Sequence, residues 1–110
     1  MISVKFFMRN NEINEITVSG HAGFANEGED IICAAVSVLT ISVLNGLTEI
    51  VGRKDLCETI KDGYTNFIIP KSSNELESIK TDTLIATYQL GIQGIKEAYG
   101  DYIQIKEEKK

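Results

Sequence analysis

The sequence contains a single histidine, His21, and the first of its two cysteines, Cys33, follows twelve residues later. Cys33 lies near the start of an uncharged, mostly apolar run that begins at Ile31. A cysteine at the beginning of a helix meets backbone N–H groups without partners and the positive end of the helix dipole, which favour thiolate over thiol. An imidazole is suited to take up the thiol proton and return it to a leaving group near neutral pH. The two residues therefore indicate nucleophilic catalysis, with Cys33 as nucleophile and His21 as its base.

The same residues also have a structural interpretation. A cysteine on an apolar helix is often a small core residue, and a single histidine at a strand end is often structural. Together, His21, Asp30, Cys33 and Cys57 offer enough ligand types for a metal ion, but they lack the paired close spacings of zinc sites. We expect no metal and no cofactor, and spacing alone leaves the catalytic and structural interpretations open. Cys57 itself is predicted to be a half-buried strand residue.

The residues that follow Cys33 are candidates for supporting roles. The backbone N–H groups of Ala34 and Ala35 would lie near an oxyanion formed on a carbonyl that the sulfur attacks, and their small side chains leave the approach open. Ser37 lies one helical turn beyond Cys33, and the sequence leaves two roles open for its hydroxyl. It either donates a hydrogen bond near the sulfur or bonds to the backbone of its own helix.

Asp30 also has two interpretations. Its carboxylate is a good N-cap for the apolar helix that follows, which is the simpler role. It is also placed to turn toward His21 and orient the ring as a third catalytic group.

A candidate substrate loop begins at Gly20 and includes Ala22, Gly23, Phe24 and Gly28, without a helix or strand pattern. The glycines suggest hinges, so we expect a loop that orders when a peptide binds. Phe24 either covers the substrate or packs the loop down when the site is empty.

The first half of the chain predicts a hairpin followed by a helix. Apolar residues alternate from 2 to 9 and again up to 19, on either side of a turn at Asn10 and Asn11. A buried helix is predicted from residue 31 to about residue 51, with Gly52 as its C-cap.

The second half predicts another hairpin, a long helix and a final strand. Strands at 56–61 and 64–69 flank a turn at Asp62 and Gly63. A helix capped by Ser72 or Ser73 follows, with an apolar stripe at three- and four-residue steps that begins with Leu76 and Ile79. A short strand at 102–106 comes next, with a charged tail that we expect to fray. Residues 1–110 thus form one α+β domain with the order ββαββαβ, a mostly antiparallel sheet and both helices on one face.

Charge and hydropathy narrow the function classes. The net charge of −5 argues against direct binding of nucleic acid through phosphates. Residues 31–48 barely reach the roughly 18 residues of a bilayer span and carry five polar side chains, so a core helix is expected and no membrane segment. Because Lys5 and Arg9 interrupt the apolar N-terminal residues, we expect no signal peptide. We therefore place the protein in the cytoplasm, with both thiols reduced.

Residues 20–37, GHAGFANEGEDIICAAVS, resemble the signature of the Prp family of ribosomal-processing cysteine proteases. That signature consists of Gly-His-Ala, a short glycine-containing loop, Asp, two aliphatic residues, Cys-Ala-Ala or Cys-Ala-Gly, an aliphatic residue and Ser. The loop residues Glu27 and Glu29 are not dictated by it. Chain length and element order also resemble the family, so the resemblance covers the whole domain. The matching positions are Gly20, His21, Ala22, Gly28, Asp30, Cys33, Ala34, Ala35 and Ser37.

The resemblance implies a cysteine endopeptidase that removes a short N-terminal extension from a ribosomal protein of the large subunit. It implies Cys33 as nucleophile, His21 as general base, cleavage after an aromatic residue, and a homodimer. The alternative from another class is a non-catalytic ribosome-associated assembly protein in which both residues are structural. A third interpretation is a thiol redox or acyl-transfer protein, which would turn over without cutting peptides.

Overall fold

The computed structural model describes residues 1–21 and 30–110. Its elements follow the predicted order ββαββαβ, which is confirmed. The bounds are β1 Ile2–Arg9, β2 Glu12–Ser19, α1 Ile31–Asn45, β3 Cys57–Lys61, β4 Tyr64–Ile68, α2 Glu75–Ala98 and β5 Ile103–Lys109.

The five strands within residues 1–21 and 30–110 form one sheet in the order β3-β4-β2-β1-β5. The pairs β1 with β2, β2 with β4, and β3 with β4 are antiparallel, whereas β5 lies parallel to β1. The predicted mostly antiparallel sheet is therefore confirmed, with one parallel edge strand. The two edges of this sheet are β3 and β5.

The first hairpin forms as its sequence predicts. The side chains of Ile2, Val4 and Phe6 are buried on one face of β1, and the residues between them are half-buried. The turn consists of Asn10 and Asn11, whose φ angles of 53° and 64° lie in the left-handed region that asparagine tolerates.

Both helices cover the face of the sheet that carries Ile2, Val4 and Phe6. They contribute to one hydrophobic core together with the strands. The ring of Phe6 meets the ring of Tyr88 edge-on, with centroids 6.0 Å apart. The helical stretch Ile31–Ile50 has the length and mean hydropathy, 2.0, of a membrane span, but it packs here as the core helix that the sequence predicts. Its buried side chains are Ile32, Val36, Thr40, Val43, Leu44 and Leu47.

The end of the first helical segment differs from the prediction of a regular helix to residue 51. The α-helix ends at Asn45 and a π-helical turn, Gly46–Ile50, follows it. The amide of Val51 donates to the carbonyl of Gly46, five residues earlier in the chain, at 3.0 Å. In this turn the hydroxyl of Thr48 donates to the Leu44 carbonyl at 3.1 Å, so a side chain competes for a helical acceptor.

The start of α2 differs from the prediction in its N-cap and in part of its apolar stripe. The N-cap is Asn74, whose side chain accepts a hydrogen bond from the Glu77 amide at 3.0 Å, and not Ser72 or Ser73. Leu76 and Ile79, expected in the core, are 60% and 55% exposed.

The neighbouring core position on α2 is polar. Thr81 is buried and accepts a hydrogen bond from the buried guanidinium of Arg53 at 3.1 Å. Arg53 also pairs with Asp55 at 2.9 Å and with Glu77 at 3.3 Å, so its charge is balanced where it is buried. This network explains why the core side of the first turns of α2 is not apolar.

The charged C-terminal tail is ordered by strand pairing, so the prediction that it frays is wrong. β5 continues to Lys109, which pairs with Met8 of β1. The Lys110 amide donates to the Met8 carbonyl at 2.9 Å, and its ammonium group bonds the Glu15 carboxylate. The open edge of β1 supplies backbone partners that composition does not reveal.

Glu15 is expected to link stability to pH. Burial raises the pKa of Glu15, but hydrogen bonds from Lys110 and Asn66 and the Lys110 charge outweigh it, so the pKa lies below its usual value. A carboxyl with a lowered folded pKa stabilises the fold above its unfolded pKa, and this contribution is lost as the pH falls through the folded value. We therefore expect Glu15→Gln to lower the free energy of unfolding by up to about 1 kcal/mol at neutral pH.

Urea unfolding of wild type and Glu15→Gln across pH measures this difference, which should shrink as the medium becomes acidic. Glu97→Gln, at an exposed position on α2, is the control for loss of a surface charge. An equal deficit at acidic and neutral pH would contradict the assigned role of the Glu15 carboxylate.

Candidate active site

Both residues of the predicted catalytic pair line one cavity of ≈ 410 Å³ between α1 and the sheet. Cys33 is half-buried in the first turn of α1, and His21 is exposed just beyond the end of β2. The sequence prediction required these two side chains, twelve residues apart, to share a site. The structure places them around the same cavity.

One wall of the cavity is a single face of α1. Cys33, Ser37, Thr40 and Ile41 line it, and residues at these intervals share one side of a helix. Ser37 lines the cavity one turn beyond Cys33, and its two alternative hydrogen-bonding roles stay predictions. Thr40 is an additional residue of this wall, and the signal for it in the sequence is its position two turns after Cys33.

The sheet supplies the opposite wall. Val18 of β2 pairs with Thr65 of β4, and Thr65 pairs with Ile60 of β3. Directly paired residues lie on the same face, so these three side chains form a row across the sheet that continues from buried Val4. All three line the cavity. The sequence could not identify this row because it depends on pairing between distant strands.

The end of the cavity is closed by the end of β2 and the β3–β4 turn. Gly20 and His21 line the cavity together with Asp62 and Gly63 of the turn. The amide of Gly20 donates to the carbonyl of Gly63 at 2.9 Å, which extends the β2–β4 pairing by one bond. The predicted second hairpin therefore belongs to the candidate active site.

Asp30 caps α1 as the sequence predicts. Its Oδ1 accepts hydrogen bonds from the amides of Ile32 and Cys33, each at 3.0 Å. The carboxylate thus satisfies two of the free donors at the helix start, one of them the amide of the candidate nucleophile. The second predicted role of Asp30, orienting His21, stays a prediction.

The role of the Ala34 and Ala35 amides as oxyanion donors stays a prediction, and the structure shows that one of these amides already has a hydrogen-bond acceptor. The amide of Ala34 donates to the carbonyl of Asp30 at 3.1 Å, the first backbone bond of α1. An oxyanion at this position would therefore compete with Asp30 for the Ala34 donor. Ala34 is exposed and Ala35 half-buried, so the small side chains leave room beside Cys33.

Several predicted site residues lie outside the residues that the structure describes. These are the loop residues Ala22, Gly23, Phe24, Glu27, Gly28 and Glu29. The predicted substrate role of this loop, and its ordering when a peptide binds, therefore stay predictions.

Cys57 differs from its prediction. It is exposed, whereas its sequence position predicts a half-buried strand residue. It lies on β3, an edge strand, three residues before Ile60 and therefore on the opposite face of the sheet. The two cysteines are thus in different environments, and Cys33 is the one at the cavity.

The cavity brings together a thiol in the first turn of a core helix and an imidazole just beyond the end of β2, the two residue types that a cysteine protease uses. The sequence model of the family "Cysteine protease Prp" matches residues 1–104. The chain belongs to this family of peptidases.

Relatives agree with this assignment. The ribosomal processing cysteine protease Prp of Bacillus subtilis (strain 168) is 28% identical over 89 residues, which cover 80% of each chain. The essential ribosomal processing protease Prp from S. aureus, solved with a covalently linked product peptide, has a TM-score of 0.80 at 21% identity, covering 98% of this chain and 100% of that one. Its structure with a substrate peptide has a TM-score of 0.79 at 19% identity, with the same coverage. The structural likeness confirms the α+β fold.

The cap at Asp30 leads to a prediction about stability and activity. We expect Asp30→Ala to lower the free energy of unfolding by about 1 kcal/mol, because two amides at the start of α1 lose their acceptor. Asp30→Asn keeps an acceptor oxygen and should retain most of the stability and the peptidase activity. Urea unfolding and peptide cleavage rates measure the two effects.

Asn74→Ala is the matched control, since it removes the cap of α2 and should destabilise similarly without changing cleavage. An Asp30→Asn variant as stable as wild type but at least about tenfold slower would contradict a pure capping role. That result would assign Asp30 to the orientation of His21.

Proposed function

We propose that this protein is an endopeptidase that removes a short N-terminal extension from a ribosomal protein of the large subunit, in the cytoplasm. The observation that carries the proposal is the shared cavity of Cys33 and His21 in a chain of the Prp family. The relatives named above are ribosomal processing proteases, which supports the substrate class.

The proposed reaction proceeds through an acyl-enzyme. His21 takes the proton of the Cys33 thiol, and the sulfur attacks the carbonyl carbon of the scissile peptide bond. The tetrahedral intermediate collapses, the C–N bond breaks, and the leaving amine takes the proton from the imidazolium. His21 then removes a proton from water, which attacks the thioester. The C–S bond breaks, the imidazolium returns its proton to the Cys33 sulfur, and the released carboxylic acid loses its proton to the solvent.

The walls of the cavity suit a substrate with an aromatic residue before the cut. Val18, Ile41 and Ile60 present apolar side chains from three different elements, and Tyr64 lines the same cavity. Ile41 and Ile60 are 38% and 54% exposed, so they have apolar surface to bury against a substrate side chain. The apolar side chains on both walls support the aromatic preference that the family resemblance implies.

Peptide cleavage tests the proposal. The substrate is a peptide that copies an extended ribosomal N-terminus with an aromatic residue before the cut, and mass spectrometry follows the products. We expect Cys33→Ala and His21→Ala each to lower kcat/KM by at least about 10³-fold, because they remove the nucleophile or its base. Cys57→Ser is the matched control and should stay within about twofold of wild type, since this thiol lies on the other face of the sheet.

A wild type that cuts the peptide no better than Cys33→Ala would contradict the proposal and favour a non-catalytic assembly protein. Mass spectrometry of the host's large-subunit proteins, with and without this gene product, then identifies the natural substrate. Accumulation of an extended ribosomal protein in its absence is the expected result.

We also propose that the protein forms a homodimer through the outward side of its two helices. Leu39 meets α2 at Gly91, and Gly46 meets it at Leu84, so the helices run antiparallel. Val38 and Leu90, which precede Leu39 and Gly91, therefore lie on the same side of the helix pair, where they are 65% and 70% exposed. Exposed apolar side chains that cluster in this way are typical of an interface.

Sedimentation velocity tests the interface. We expect wild type to sediment as a dimer and the double variant Val38→Glu, Leu90→Glu to sediment as a monomer, because it places four carboxylates in an apolar interface. Gln104→Glu, at an exposed position on β5, is the control and should remain dimeric. A monomeric wild type, or a double variant that still dimerises, would contradict this assignment.

A further inference from the structure

The β3–β4 turn touches the imidazole of His21, and we propose that Gly63 in this turn is a positioning residue that holds His21 for proton transfer with Cys33. The proposal rests on the protease function proposed above and extends its site to a second hairpin. Gly63 carries no side chain, so its role is to leave space of a defined shape beside the ring.

The contact between Gly63 and the ring is close. A Cβ atom built on Gly63 would lie 3.0 Å from Nε2 of His21, 3.6 Å from Cε1 and 3.7 Å from Cδ2. The ring edge that carries Nε2 therefore faces the backbone of the turn. A methyl group at 3.0 Å would be closer than ordinary contacts allow, so the ring would have to move by a few tenths of an ångström to admit it.

The backbone that carries His21 is held on both sides. The Gly20 amide donates to the Gly63 carbonyl at 2.9 Å. On its other side, a Cβ on Gly20 would lie 2.4 Å from the carbonyl oxygen of Met1. The strand end therefore has little room to shift, and the position of the ring depends on the torsions of the His21 side chain and on the surface it meets at Gly63.

A methyl group at Gly63 is therefore expected to displace the ring. His21 is exposed and turns about two side-chain bonds, so the ring yields more readily than the hydrogen-bonded backbone. Proton transfer requires the base within hydrogen-bond reach of the thiol, and small misplacements of a catalytic group lower rates strongly. The effect should fall on kcat, with little change in substrate binding.

The chain offers a matched control for backbone strain at this glycine. Gly52 has a φ of +83°, comparable with +68° at Gly63, but a Cβ there would meet nothing within 4 Å. Alanine at either position pays the same kind of conformational penalty, and both variants should lower Tm by a similar amount, on the order of 5 °C. Only the variant at Gly63 places a methyl group against His21.

The experiment compares Gly63→Ala with Gly52→Ala in peptide cleavage and in NMR spectra of the imidazole. His21 is the sole histidine, so its ring proton resonances are assigned without ambiguity. We expect Gly63→Ala to lower kcat about tenfold or more, with KM within about twofold, and to shift the His21 resonances. We expect Gly52→Ala to keep wild-type kcat and resonances.

Gly63→Asn keeps the test decisive if the alanine variant does not fold. Asparagine adopts positive φ at positions 10 and 11 of this chain, and it still carries a Cβ. Gly63 variants with wild-type kcat or unshifted His21 resonances would overturn the positioning role alone. A wild type that cleaves no better than Cys33→Ala would overturn the protease function, and the proposal with it.

Discussion

The antiparallel pairing of β2 with β4 is the constraint on which the candidate active-site end of this molecule depends. The ladder runs from Glu15 opposite Ile68 to Ser19 opposite Tyr64, and one further bond joins Gly20 to Gly63. This ladder joins segments that are far apart in the chain, so its formation costs loop-closure entropy. Burial of Ile16 and Phe67, on the face of the sheet that the helices cover, must offset that cost. Once it forms, the strand end that carries His21 and the turn beside it have a fixed relation.

The helix α1 uses three of its sides for different purposes, and this explains its composition. Ile32 and Val36 are buried in the core, Cys33 and Ile41 line the cavity, and Val38 faces outward. Each side favours apolar or small residues for its own reason, so the run has almost no polar stripe. A sequence with the hydropathy of a membrane span thus arises in a helix that packs on a sheet.

Local features of this chain were predictable from the sequence, and the pairing of distant segments was not. The turn at Asn10 and Asn11, the cap at Asp30 and the alternation in β1 depend on nearest neighbours, and the structure confirms all three. The strand order, and with it the row that includes Ile60, depends on tertiary packing that no local pattern encodes.

The wrong predictions for the cap of α2 and for the C-terminal tail also arise from contacts that the local sequence pattern does not show. Asn74 caps α2 because Ser72 instead hydrogen-bonds the Asn74 backbone and the Glu77 carboxylate. The tail is ordered because β1 has a free edge for β5. The candidate pair itself was predictable because both residues are chemically distinctive, whereas Gly63 has no side chain to attract notice.

The floor of the cavity is connected to the core by hydrogen bonds whose direction can be assigned. Thr40 has one hydroxyl proton, which it donates to the Val36 carbonyl at 2.7 Å, so the Tyr88 hydroxyl at 2.8 Å must be the donor to Thr40. Burial raises the pKa of Tyr88 to about 12, so this proton is retained at any physiological pH. Neither hydroxyl is then available as a base for Cys33, and the chain Tyr88 to Thr40 to Val36 acts as a brace between α2 and α1. This leaves the imidazole of His21 as the general base that we propose for this cavity, because imidazole exchanges protons near neutral pH.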